Sequence, residues 1–245
     1  HKHPTDQSME EFVSEAAEFA GTEYLVALYK GEALIGEARN KIEQKLMYYS
    51  GVSSEYLESR DLRLERTSFC KDILKTQNKV ISILDGRFTR PVFLPTAKEG
   101  TPGYTADATS IRFSPYYHAA LCGEIFDSLD IRNFARSYVP SASFGTELVP
   151  NSIWNFENAQ LISGDRLTIA MNLCPGLRTF FANGWFDLCT QTSLIWHTTM
   201  HTHLPMDRVF FKGYYAGHMP YIGEDNAKML ADDLRKFILG KDPTQ

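Results

Sequence analysis

No stretch of this sequence approaches the ~20 consecutive apolar residues that cross a bilayer, so no membrane partner is expected. Lysine and arginine never gather into a long run, and the net charge is -5. The electrostatic footprint of a nucleic-acid binder is therefore missing. Cysteines number only 4, at positions Cys70, Cys122, Cys174 and Cys189, with no Cys-x-x-Cys pair. That spacing leaves disulfides or free thiols equally open. The chain starts at His1-Lys2-His3-Pro4, without an initiator Met or the apolar centre of a signal peptide. It is read as beginning internally, as a processed product, a fragment or a trimmed chain. The tripartite signal Gly-x-Ser-x-Gly is also absent.

What is present describes an ordinary folded protein. Of 245 residues, 43% are hydrophobic and 22% charged. With 16 Phe, 12 Tyr and 3 Trp the chain can fill a core. The length suits one large domain or two small ones.

The first half reads as helices. Ser8 and Glu11 form a capping-box pattern, and Phe12, Ala16 and Phe19 recur at helical spacing through Tyr24 and Leu28 toward Gly31. A second helix is predicted over 37–49, ended by Gly51, with short helices near 54–59 and 67–76. Residues 80–84 look extended, and 89–104 read as a Pro-, Thr- and Gly-rich loop. Ser114-Pro115 is predicted to open a helix that runs to about Leu129. Residues 140–162 are irregular.

After Asp165 the pattern changes. A short helix over 166–173 stops near Pro175. Strands are predicted over 177–182 and 208–214, with a helix over 192–201 between them. A final helix over 224–239 places Ala227, Leu230, Ala231, Leu234 and Ile238 on one face. Strand, helix, strand at this spacing is a βαβ unit, so the two strands should be parallel. Two parallel strands alone leave open edges, so the sheet is expected to be incomplete in this chain.

Two residues follow those strands: Asp187 in Asn183-Gly184-Trp185-Phe186-Asp187, and His218 in Ala216-Gly217-His218-Met219-Pro220. A carboxylate and then an imidazole on loops after parallel strands is the order in which an α/β-hydrolase supplies its last two triad members. The bland alternative makes Asp187 a helix cap and His218 a turn residue, and spacing does not separate the two. His197, His201 and His203 with Asp207 carry metal-like spacing, but a solvent-facing helix end explains them more simply. The pairs Glu10-Glu11 and Asp232-Asp233 read as solvated helix positions. Trp185, and Trp154 with Phe156, are candidates to line a cleft, although aromatics are more often core. Cys189 reads as a packing residue.

Three segments resemble the C-terminal portion of the serine carboxypeptidase family, particularly its bacterial branch. They are residues 167–177, Asn183 to Asp187, and Tyr214-Tyr215-Ala216-Gly217-His218-Met219-Pro220-Tyr221. Residues 225–237 are similar to that family's closing helix. Glu18 to Tyr24 and Leu84-Asp85-Gly86-Arg87-Phe88-Thr89 resemble the region that follows its serine half. The resemblance implies an α/β fold: the C-terminal portion of an α/β-hydrolase over 161–245, with parallel strands and flanking helices. A largely helical cap or insertion over 1–160 would precede it.

In that case Asp187 is the triad acid, His218 the general base, and Met219 part of the pocket for the substrate's last side chain; Trp185, the cleft candidate, is the other expected substrate-binding residue. No metal and no organic cofactor is implied. The partners are a Ser-bearing N-terminal segment or chain of the same precursor, and a peptide substrate. A secreted or periplasmic location is implied as well. The expected activity is release of C-terminal amino acids by Ser-Asp-His acyl transfer. The alternatives are another α/β-hydrolase, such as an esterase or acyltransferase, and a non-catalytic binding module.

Overall fold

The computed structural model describes residues 6–92, 107–130 and 164–245. The loop residues beyond 92, the irregular stretch over 140–162, the pair His1 and His3, and Trp154 and Phe156 lie outside them.

The N-terminal region is helical. Helix α1 (Met9–Phe19) opens on the capping box, with the Ser8 side chain accepting from the Glu11 N–H and the Glu11 carboxylate accepting from the Ser8 N–H. A π-helical turn (Ala20–Tyr24) joins it without a break to α2 (Leu25–Lys30). Helix α3 (Gly36–Ser50) ends at Gly51, whose φ of 74° is the left-handed conformation that glycine adopts without strain. Ser53 caps α4 (Ser54–Ser59) and Glu65 caps α5 (Arg66–Asp72). Phe19, Ala27, Leu34, Ile42, Leu46, Val52 and Leu57 are among the side chains these elements bury in one cluster.

Two readings of the middle of the chain need correction. The expected loop begins as a strand: β1 (Lys79–Ile81) pairs antiparallel with β2 (Thr89–Pro91). Pro91 at the strand end sacrifices little, since proline is tolerated at sheet edges. Helix α6 (Ala108–Ala120) starts ahead of Ser114-Pro115, which lie inside it. Asp107 is the real cap, its carboxylate accepting from the N–H groups of Thr109 and Ser110. A π turn (Leu121–Ile125) and α7 (Phe126–Ser128) follow.

The C-terminal region contains a parallel pair of strands with helices on both faces. Helix α8 (Gly164–Leu173) leads to β3 (Thr179–Gly184), then α9 (Thr192–Met200), β4 (Val209–Tyr214) and α10 (Glu224–Ile238). Strands β3 and β4 run parallel, with Thr179 opposite Val209 and Gly184 opposite Tyr214. Side chains alternate across the pair. Phe181 and Phe211 stack at 5.2 Å and pack with Leu167 and Met171 of α8. Phe180 and Phe210 face the other way and meet Phe237 of α10 at 5.7 and 6.1 Å.

The face of α10 differs from the one its apolar spacing predicts. Ala227, Ala231, Leu234 and Ile238 are exposed, while Asp233 is buried and Phe237 meets the sheet. Asp233 is therefore no solvated position. Its carboxylate accepts from Tyr214 Oη at 2.8 Å and pairs with Lys212 Nζ at 2.8 Å, both on β4. This polar anchor, together with Phe237, decides which side of the helix docks. Among the described residues, β3 and β4 pair only with each other, so each has an unpaired outer edge. Ile169, Leu173, Leu194 and Met200 of α8 and α9 are exposed as well.

Candidate functional site: the Asp187–His218 pair

The C-terminal ends of β3 and β4 are joined beyond the ladder. The Trp185 N–H donates to the Tyr214 carbonyl and the Phe186 N–H to the Ala216 carbonyl, each at 3.0 Å. The two chains touch backbone to backbone at Gly184, where a Cβ would lie 2.1 Å from the Gly217 oxygen. Asp187 then turns back, its N–H donating to the Gly184 carbonyl at 3.2 Å.

The Asp187 side chain is buried, 1% exposed, and both oxygens are engaged. Oδ1 accepts from the backbone N–H groups of Cys189 at 2.7 Å and Thr190 at 2.9 Å. Oδ2 accepts from Thr190 Oγ1 at 2.6 Å and lies 3.0 Å from His218 Nδ1. Asp187 is not the cap of α9, whose N-cap is Gln191, but it does work on two sides. One oxygen organises an Asx-type turn ahead of α9, and the other faces the imidazole.

His218 is held by its backbone. Its N–H donates to the Leu84 carbonyl at 2.7 Å. The side chain is 42% exposed. A buried carboxylate at Nδ1 selects the tautomer with the proton on Nδ1, which leaves an unshared pair on Nε2. Among the described residues Nε2 takes no hydrogen bond, and Thr190 Oγ1 at 3.3 Å from Nδ1 is the ring's other close polar neighbour. An oriented imidazole with a free, solvent-reachable nitrogen can accept a proton from a hydroxyl placed next to it.

A third segment underlies both loops. The Leu188 N–H donates to the Ile83 carbonyl at 3.1 Å, and the Gly86 N–H to the Phe186 carbonyl at 2.9 Å. Ser82, fully buried, shapes this turn. Its Oγ donates to Asp107 and accepts from the N–H groups of Leu84 and Asp85. Asp85 is buried and grips Arg87 through Nε at 2.9 Å and Nη2 at 2.7 Å. These hydrogen bonds raise the Arg87 pKa further, against the opposing effect of burial. Sequence reading missed this contribution because residues 80–89 stand a hundred positions upstream and carry no metal or nucleophile pattern. The available signal was Leu84-Asp85-Gly86-Arg87, a turn with paired charges.

The other predicted residues sit nearby or elsewhere. Met219 is half-buried in the turn after His218, where its carbonyl accepts from the Ile222 N–H. Trp185 meets Trp196 of α9 edge-on at 6.4 Å and lies against Gly213. His197 and His201 stack at 4.1 Å, and no group of three or more potential metal ligands occurs among the described residues. All four cysteines are free. Burial pushes the Cys70 thiol up to about 11, which leaves it inert near neutrality.

In comparison with known proteins, no family model matches the chain, no curated protein matches it, and no solved structure matches it.

Proposed function

We propose that this chain is the Asp- and His-bearing part of a serine-type carboxypeptidase built on the α/β-hydrolase plan. One observation carries the reading: a buried carboxylate with both oxygens hydrogen-bonded lies 3.0 Å from Nδ1 of an imidazole whose Nε2 has no hydrogen-bond partner among the described residues. Both residues follow parallel strands in the chain order that this plan uses. The open strand edges and the exposed apolar sides of α8, α9 and α10 support a serine-bearing polypeptide as the partner.

Nε2 of His218 removes the proton of the partner's serine hydroxyl as its oxygen attacks the last peptide carbonyl. Asp187 stabilises the imidazolium that forms and keeps the ring oriented. The imidazolium then protonates the leaving amino group, the C-terminal amino acid departs, and water releases the acyl group by the same route in reverse.

The test is product analysis on the protein isolated natively with its associated polypeptides. Peptide substrates and matched esters are compared, and released amino acids are measured. Stepwise loss of C-terminal residues, abolished by His218→Ala, is the expected outcome. Ester cleavage without amino-acid release would move the assignment to an esterase or acyltransferase. Full activity in His218→Ala would remove this site from the reaction.

A further inference from the structure

We infer that Asp85 and Arg87 form a latch that positions His218 relative to Asp187. The inference rests on the functional reading above for its purpose, but on separate contacts for its structure. Arg87 touches neither member of the pair. It acts through the loops that carry them and is a positioning residue.

The contacts converge on one guanidinium. Nε and Nη2 are taken by the two carboxylate oxygens of buried Asp85, and the Arg87 N–H donates to the same carboxylate at 3.0 Å. That fork leaves Nη1 free to donate to the Tyr215 carbonyl at 2.6 Å, at the start of the turn that carries His218. The guanidinium also lies over the ring of Phe186 at 5.1 Å and the ring of Tyr215 at 5.5 Å. Phe186 is the neighbour of Asp187, so a single cation contacts both loops at once. Those two rings meet edge to face at 4.8 Å and cover it. Gly217 completes the fit, because its backbone presses against the Asp85 side chain and the Leu84 carbonyl.

The physical reason for a charged latch is stiffness. A bidentate, partly desolvated arginine–carboxylate pair has one geometry, and a lysine has many. With the Asp85 N–H held by Ser82 Oγ, which itself donates to Asp107, the Tyr215 carbonyl is tied through Arg87 to a braced turn. A general base displaced by about 1 Å loses roughly a hundredfold in rate, so such bracing has a use.

The experiment uses the full chain labelled with 15N-histidine and follows the His218 Nδ1–H proton by NMR. Arg87→Met and Arg87→Lys are compared with the unmodified protein, and circular dichroism checks the fold. The unmodified protein should show a low-field, slowly exchanging Nδ1–H. In Arg87→Met that proton should exchange at least roughly tenfold faster or vanish, while the helical spectrum stays unchanged. Arg87→Lys, which keeps the charge and loses the fork, should fall between them. An unchanged His218 signal in a folded Arg87→Met protein overturns the latch. If Arg87→Met does not fold, Arg87→Lys decides, and an unmoved signal there overturns it equally. The outcomes separate from those of the functional proposal. A signal that responds to Arg87 in a preparation with no peptidase activity keeps the latch and removes its catalytic purpose. Peptidase activity with an unresponsive signal does the opposite.

Discussion

Gly217 stands where Asp85 leaves no room for a side chain: a Cβ there would lie 2.4 Å from Asp85 Cβ and 2.4 Å from the Leu84 carbonyl oxygen. The obstacle is partly backbone and cannot rotate away. Gly217→Ala should therefore push the histidine loop off the 84–87 turn and destabilise the protein by about 3 kcal/mol. Chemical denaturation measures this directly. The His218–Asp187 contact should weaken in step, seen as faster exchange of the ring N–H.

Gly213 gives a second steric test at a different place. A Cβ there would fall 1.9 Å from the Trp185 ring. Gly213→Ala should expel that indole from its seat against β4 and separate it from Trp196. A shift in tryptophan emission, with β3–β4 pairing retained, is the expected result. An unchanged spectrum would show that the ring has room to adjust.

Asp233 anchors α10 to β4. Burial pushes its carboxyl up, but hydrogen bonds from Lys212, Tyr214 and Lys236 outweigh that effect and leave it below its ordinary value. Tyr214, deprived of water and facing the carboxylate, is pushed strongly up and stays neutral. Asp233→Ala strands a half-buried lysine and should cost about 3 kcal/mol. Asp233→Asn, which keeps an acceptor for Tyr214, should cost less. Urea unfolding of the two variants ranks them.

Acid should unfold the protein partly through Glu65. Three hydrogen bonds at the start of α5, from the Thr67 and Ser68 N–H groups and the Ser68 hydroxyl, hold its carboxyl down at about 2. A folded-state value below the unfolded one stabilises the fold above the ordinary carboxylate range. That contribution is lost as pH falls from about 4.5 toward about 2. Asp233, also depressed, loses its contribution in the same direction. Because Glu65 is exposed, salt screens the effect, and about 1 kcal/mol is the expected size, as for a helix cap. Melting curves of Glu65→Gln and the unmodified protein should converge at the acid end of that window and separate above it.

How much of this was legible in the sequence depends on the range of the interaction. Ser8 with Glu11, and Gly51 after the second helix, announce their elements because capping is settled within a few residues. The parallel pair followed from the lengths of its strand, helix and strand. That Asp187 and His218 lie near each other was legible because each follows a strand end.

The misses are non-local. Asp107 outcompeted Ser114-Pro115 as a cap because its carboxylate also binds Ser82 and the Ile83 N–H, far from it in sequence. The docking side of α10 was misread because an acid with three partners outweighed a row of alanine and leucine. The share of residues 84–87 in the site could not be read from spacing. Backbone carbonyls that accept hydrogen bonds leave no trace in residue type.

His218, oriented by Asp187, is proposed to activate a serine on another polypeptide. Labelling the natively isolated protein with a fluorophosphonate and locating the adduct by mass spectrometry tests it most directly. The expected result is one modified serine, in a Gly-x-Ser-x-Gly context on an associated polypeptide. Its labelling rate should fall roughly 10⁴-fold in Asp187→Asn and at least as far in His218→Ala. A preparation that contains such a serine but does not react, or one whose reaction is unchanged by either substitution, would contradict it.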